Sequence, residues 1–103
     1  MTVKVIIERT VTTENQDKLQ ALSKQLRIMA VNQPGYETGE TLFSVDNPGT
    51  HIVISTWHSL PEWQVWKDNP ERKKILNEID RLLVAPAKES TYIEPWASMP
   101  NGV

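Results

Sequence analysis

The spacing of apolar residues in this chain switches back and forth between a two-residue and a helical period, and that succession constrains the fold more than any other feature. Val3-Lys4-Val5-Ile6-Ile7-Glu8-Arg9 is β-branched and roughly alternating, the pattern of a strand. Thr13 and Gln16 have capping-box spacing, with the hydroxyl placed to accept from a free backbone N–H. From about Glu14 to Val31, Leu19, Leu22, Leu26, Met29 and Ala30 recur on one helical stripe. Asn32-Gln33-Pro34-Gly35 ends that helix, because proline cannot continue it and glycine permits the turn. Tyr36 to Ser44 reads as a second strand, with Gly39 marking a bulge or a close backbone approach. Asp46-Asn47-Pro48-Gly49 is a turn, and His51 to Trp57 returns as the third strand of an antiparallel hairpin. Ser59, Pro61 and Glu62 start a second helix, which breaks at Asp68-Asn69-Pro70, where Asn69 caps a restart. Ile75, Ile79, Leu82 and Leu83 form its stripe, Pro86 closes it, and Glu89 to Glu94 is a short fourth strand.

The order is βαββαβ, which predicts an α+β, ferredoxin-like domain: an antiparallel four-stranded sheet with its helices on one face. With 103 residues there is room for a single domain. Its core is expected over about residues 2–95, with an irregular tail at 96–103. Helices on one face leave the other open, yet strands one and three are apolar on both sides. Val3, Val5 and Ile7 point one way and Ile6 the other; Ile52 and Ile54 oppose Val53 and Trp57. A sheet face turned to water alternates cleanly with polar residues. The second face is therefore expected to be buried in a homodimer, the commonest symmetric solution.

Composition removes several function classes. The 11 basic and 13 acidic residues are interspersed, so no basic stripe marks a nucleic-acid partner. The absence of cysteine rules out disulfides, thiolate zinc sites and cysteine nucleophiles. No apolar run approaches a membrane span, and none resembles the core of a signal peptide; a cytoplasmic location is the expectation that remains. His51 and His58, the only histidines, read as surface or turn residues rather than metal ligands. No phosphate-binding loop, dinucleotide fingerprint, zinc-protease motif or nucleophile elbow occurs.

Pro34-Gly35, Asp46-Asn47-Pro48, Trp57, Ser59, Trp66 and Asn69-Pro70 stand in an order and spacing that resembles the antibiotic biosynthesis monooxygenase family. The resemblance implies a dimeric α+β barrel over about residues 2–95. It is less specific for activity, since the family spans cofactor-free quinone-forming oxygenases, haem degraders, isomerases and members of unknown role. The haem-degrading branch uses a strand-one asparagine, a helix-two tryptophan and a histidine ten residues later. Trp66 matches the tryptophan, but Glu8 and Leu76 stand at the other two places. Without the imidazole no axial haem ligand is in view, and no cofactor is expected.

Each candidate site residue keeps two readings. Trp57, Trp63 and Trp66 cluster around the start of helix two and form either an aromatic wall for a planar substrate or ordinary packing. Glu8, if it lies under helix two, is a desolvated carboxylate able to act as a base; otherwise it is a surface acid at a strand end. Arg9 points to the opposite face from Glu8. Arg72, where the family often has an aromatic, either holds an anionic or enolate oxygen or is a solvated helix charge. Tyr36 and Tyr92 either offer phenols to a pocket or pack. The function implied is a cofactor-independent monooxygenase acting on a small aromatic or enolisable molecule. The alternative is a non-catalytic small-ligand-binding or dimeric scaffold module.

Overall fold

Strand β1 (Val3–Thr10) is central to a sheet of order β2-β3-β1-β4, antiparallel throughout, in a computed structural model that describes residues 1–95. The expected tail at 96–103 lies outside the described residues. Its neighbours are β3 (Thr50–Trp57) and β4 (Lys88–Ile93), and β2 (Tyr36–Phe43) completes the opposite edge. Helices α1 (Gln16–Ala30), α2 (Leu60–Lys67) and α3 (Pro70–Asp80) complete the βαββαβ order of a ferredoxin-like domain.

Alternation along β1 is strict: Val3, Val5, Ile7 and Arg9 are buried, while Lys4, Ile6, Glu8 and Thr10 are less so. The buried set meets Trp57 of β3, Leu19, Leu26 and Ala30 of α1, Trp63 and Trp66 of α2, and Ile79 of α3 in one core. These are the stripes expected from the periodicity. Burying them supplies most of the stabilisation, at about 25 cal/mol per Å² of apolar surface.

The helix starts follow from side chains that satisfy free backbone donors. Ser59 accepts from the Glu62 N–H at 3.3 Å, the N-cap half of a capping box, and its hydroxyl donates to the Glu62 carboxylate at 2.8 Å. The expected cap at Thr13 does not form. Thr13–Asn15 is instead a 3₁₀ turn, and α1 begins at Gln16 with no side-chain cap.

The break between α2 and α3 has a local cause that matters for the site. Pro70 has no N–H to offer the Trp66 carbonyl, which the Asn69 N–H takes instead at 3.0 Å. The Glu71 N–H, which would otherwise reach back to Lys67, bonds the Asn69 side chain at 2.8 Å. The Lys67 carbonyl is thereby left for another donor, and Arg72 Nη1 fills it at 3.0 Å. One Asn-Pro pair thus turns the chain and aims a guanidinium inward.

Among the described residues no helix covers the other face of the sheet. Ile6 lies opposite Ile54, Glu8 opposite Ile52, and Ile52 opposite Leu42. Together with Tyr92, which lies opposite Lys4, they make an apolar surface fringed by charge. No helix of the described residues is long and apolar enough to cross a membrane.

Candidate active site

A slot opens between the helices and the β2–β3–β1 part of the sheet. Tyr36, Trp57, Trp63 and Trp66 form its aromatic wall, and Arg9 and Arg72 bring charge to it. It encloses about 570 Å³ counted out to open solvent, but only about 60 Å³ is wide enough to centre a water molecule. That shape suits a flat ring better than a globular ligand.

The wall is built from interlocked rings. Tyr36 meets Trp57 edge-on at 5.4 Å, and Trp57 lies 5.7 Å from Trp63 at a tilt of 56°. Trp57 is fully buried and its indole N–H donates to Ser55 Oγ at 3.0 Å, so it is the fixed post of the group. Trp63 and Trp66 differ. Both are nearly buried, yet among the described residues neither indole N–H has a hydrogen-bond partner. Packing and pocket are thus not alternatives here, since the rings do both.

Gly39 keeps the slot open on the β2 side. A Cβ there would collide with the Tyr36 hydroxyl, so a larger residue would make that phenol shift. The register slips between Tyr36 and Thr38, the bulge expected near Gly39. Arg27 of α1 ties the Gly39 carbonyl down at 2.7 Å.

Arg72 is 5% exposed, with its guanidinium carbon 5.2 Å from the centre of the Trp63 ring and 6.0 Å from that of Trp66. A cation over indole faces is attracted by the ring quadrupole, and desolvation strengthens that attraction. It is not a solvated helix charge. Burial lowers its pKa, against the opposing pull of Glu89, Asp68 and Asp80.

The sequence-predicted residues separate cleanly. Tyr36, Trp57, Trp63, Trp66 and Arg72 are brought together, whereas Glu8 and Tyr92 are not. The condition attached to Glu8 is not met: it lies on the open face, 37% exposed, with its carboxylate 3.7 Å from Lys88. Tyr92 is 56% exposed on the same face. The residue of that pair that enters the slot is Arg9, whose place follows from sharing parity with Val3, Val5 and Ile7.

His51 also departs from expectation. It is 2% exposed rather than a surface residue, stacked on Phe43 at 4.3 Å and directly opposite Arg9. Neither ring nitrogen has a hydrogen-bond partner among the described residues. It borders a second cavity that shares Ser23, Arg27 and Thr41 with the slot. Burial lowers its pKa and the Arg9 charge lowers it further, so the ring is neutral at pH 7. Among the described residues no cluster of three or more metal-ligating side chains occurs.

Comparison with known proteins places this architecture. No curated protein sequence matches the chain. Among solved structures, Rv0793 from Mycobacterium tuberculosis superposes with a TM-score of 0.86 at 15% identity, covering 96% of this chain and 100% of that one. A conserved protein from Methanosarcina mazei Go1 gives 0.84 at 15% identity, over 89% and 91% of the two chains. SnoaB, a cofactor-independent oxygenase from Streptomyces nogalater, gives 0.81 at 12% identity, over 93% and 95%. At these identities the likeness establishes the fold alone. The sequence profile of the antibiotic biosynthesis monooxygenases, however, matches residues 2–78, and it is to that family that the chain belongs.

Proposed function

We propose that the protein is a homodimeric, cofactor-independent monooxygenase whose substrate is a small aromatic or enolisable molecule bound in the slot. The observation that carries this reading is the aromatic wall of the slot, whose Trp63 and Trp66 indole N–H groups have no partner among the described residues, beside a buried guanidinium. A flat ring fits between such walls, and Arg72 is placed to hold an enolate or phenolate oxygen. The family membership and the SnoaB-like fold support an oxygenase.

The chemistry needs little from the protein. A ring methylene ionised to a stabilised carbanion passes one electron to dioxygen, and the resulting radical pair combines to a peroxide. Loss of water leaves a carbonyl, so that R₂CH₂ + O₂ gives R₂C=O + H₂O. The chain's contribution is to hold the anion, align the ring and keep bulk water out.

The alternative, a ligand-binding or scaffold module without catalysis, is favoured by one feature. Among the described residues no buried carboxylate lines the slot to serve as a base. Oxygen uptake decides between the two. With chelator present and no flavin, anthrones, which carry such a ring methylene, should support protein-dependent oxygen consumption and incorporate one atom of ¹⁸O. Saturable binding without uptake would assign the binding role instead.

Pairing through the open face accounts for its apolar residues Ile6, Ile52, Ile54 and Leu42. A stable interface buries about 800 Å² per partner, and a face of this sheet is of that order.

A further inference from the structure

Buried charge in this protein has one sign. Arg9 and Arg72 are each 5% exposed, while no Asp or Glu among the described residues is buried. A guanidinium taken out of water is costly unless a carboxylate neutralises it at close range. Among the described residues the ion pairs are Lys67–Glu89, Lys74–Glu71 and Lys88–Glu8, and neither buried arginine takes part. Asp80 and Glu89 attract Arg9 from beyond ion-pair distance, but burial and the neighbouring Arg72 outweigh them and bring its pKa down to about 10.

The two arginines are not equivalent. Arg72 has the Lys67 carbonyl and two indole faces. Arg9 has an Nε–H that is sealed from solvent and bonded to nothing. Directly across the strand pair, His51 has both nitrogens in the same condition. Polar atoms without a bond at this depth are rare in folded proteins, and since the Arg9 Nε–H is closed to solvent, what Arg9 brings to the slot it lines is its charge and the outer edge of its guanidinium. Both arginines line the slot, as do Trp63 and Trp66, whose indole N–H groups have no partner among the described residues.

We propose that the slot takes a planar aromatic anion already ionised at neutral pH, with its charged oxygen held by Arg9 together with Arg72 and its ring against Trp63 and Trp66. This rests on the reading of the slot as a small-molecule site and names the chemical class of the ligand. A carboxylate or an acidic ring hydroxyl supplies the same chemistry: a flat, negatively charged oxygen that matches a guanidinium edge.

Two matched pairs of probes test the proposal on the full chain at neutral pH by calorimetric titration: naphthoate with naphthamide, and hydroxynaphthoquinone with naphthoquinone. Each pair keeps the ring and changes the charge. At least one anion should bind about tenfold or more tightly than its neutral mate, and which pair shows it distinguishes carboxylate from ring hydroxyl. In Arg9→Gln, and in Arg9→Met as a second variant, that preference should fall to about threefold or less while the neutral mate keeps its affinity. Equal binding within both pairs, a preference that survives both Arg9 variants, or no binding by any probe would each overturn the proposal. Oxygen uptake separates this from the functional reading. Turnover of neutral substrates without anion preference would sink the anion site and leave the oxygenase. An anion preference that needs Arg9, without oxygen uptake, would do the reverse.

Discussion

Glu8 and Arg9 are joined by one peptide bond and live in different solvents. Glu8 points to the open face and meets Lys88 at 3.7 Å in a loose surface pair. Arg9 points under the helices, 5% exposed, with no carboxylate of the described residues within ion-pair distance. The same contrast runs along both central strands. One face is sealed by helices yet holds groups that lack partners, and the other is half-open yet carries more apolar surface than water favours. The proposed dimer would cover the open face, and the proposed ligand would occupy the covered one.

The largest expected effect comes from breaking the open face. Ile54→Lys sets a charge opposite Ile6 at the centre of the apolar surface. Light scattering of the unaltered protein should report about twice 11.8 kDa. The variant should dissociate, with a loss of about 3 kcal/mol in association, as for a central interface residue. A native protein that is already a monomer would remove the basis for a buried second face.

Next is a comparison across the peptide bond itself. Arg9→Met replaces a buried, unpaired charge with an apolar chain and should raise stability by about 1–3 kcal/mol in urea unfolding. Glu8→Met, on the open side, should change it by less than about 0.5 kcal/mol in the dissociated Ile54→Lys background. Equal effects would mean that the two faces are not as different as their burial indicates.

A smaller effect concerns His51. Its folded pKa lies below the ordinary 6.5, with burial the larger cause and Arg9 the second. The unfolded chain therefore takes up a proton first as pH falls. Stability is intact above about pH 6.5 and declines as pH drops from there toward the folded pKa, below which the decline levels off. His51→Phe should remove that part of the pH dependence and leave the later, carboxylate-driven loss. Unfolding midpoints measured from about pH 7.5 to about pH 5, roughly a unit above and a unit and a half below the ordinary imidazole value, check it.

Much of this was legible beforehand because it depends on period and caps. The alternation of β1, the stripes of α1 and α3, and the capping residues Ser59 and Asn69 all fall where local spacing puts them. Thr13 misled because a hydroxyl at the right spacing competes with a 3₁₀ turn, and only packing decides between them. The side on which Arg9 lies was available from parity with Val3, Val5 and Ile7. What was not available was that its neighbours would leave it unpaired, which depends on where α3 sits. His51 looked exposed because it follows a turn; its burial comes from stacking on Phe43, a cross-strand contact between residues eight apart in sequence. Tyr92 and Glu8 were displaced from the slot by the same parity rule, applied to β4 and β1.

The central claim is that the covered face, and not the open one, is the ligand site, and the indole N–H groups report on it directly. In a ¹⁵N-labelled sample titrated with hydroxynaphthoquinone, the indole resonances of Trp63 and Trp66 should shift together and saturably. That of Trp57, already bonded to Ser55 at 3.0 Å, should move little, and the backbone amides of Ile52 and Ile54 should stay in place. Shifts confined to the open face, with the Trp63 and Trp66 indoles unmoved, would contradict the account.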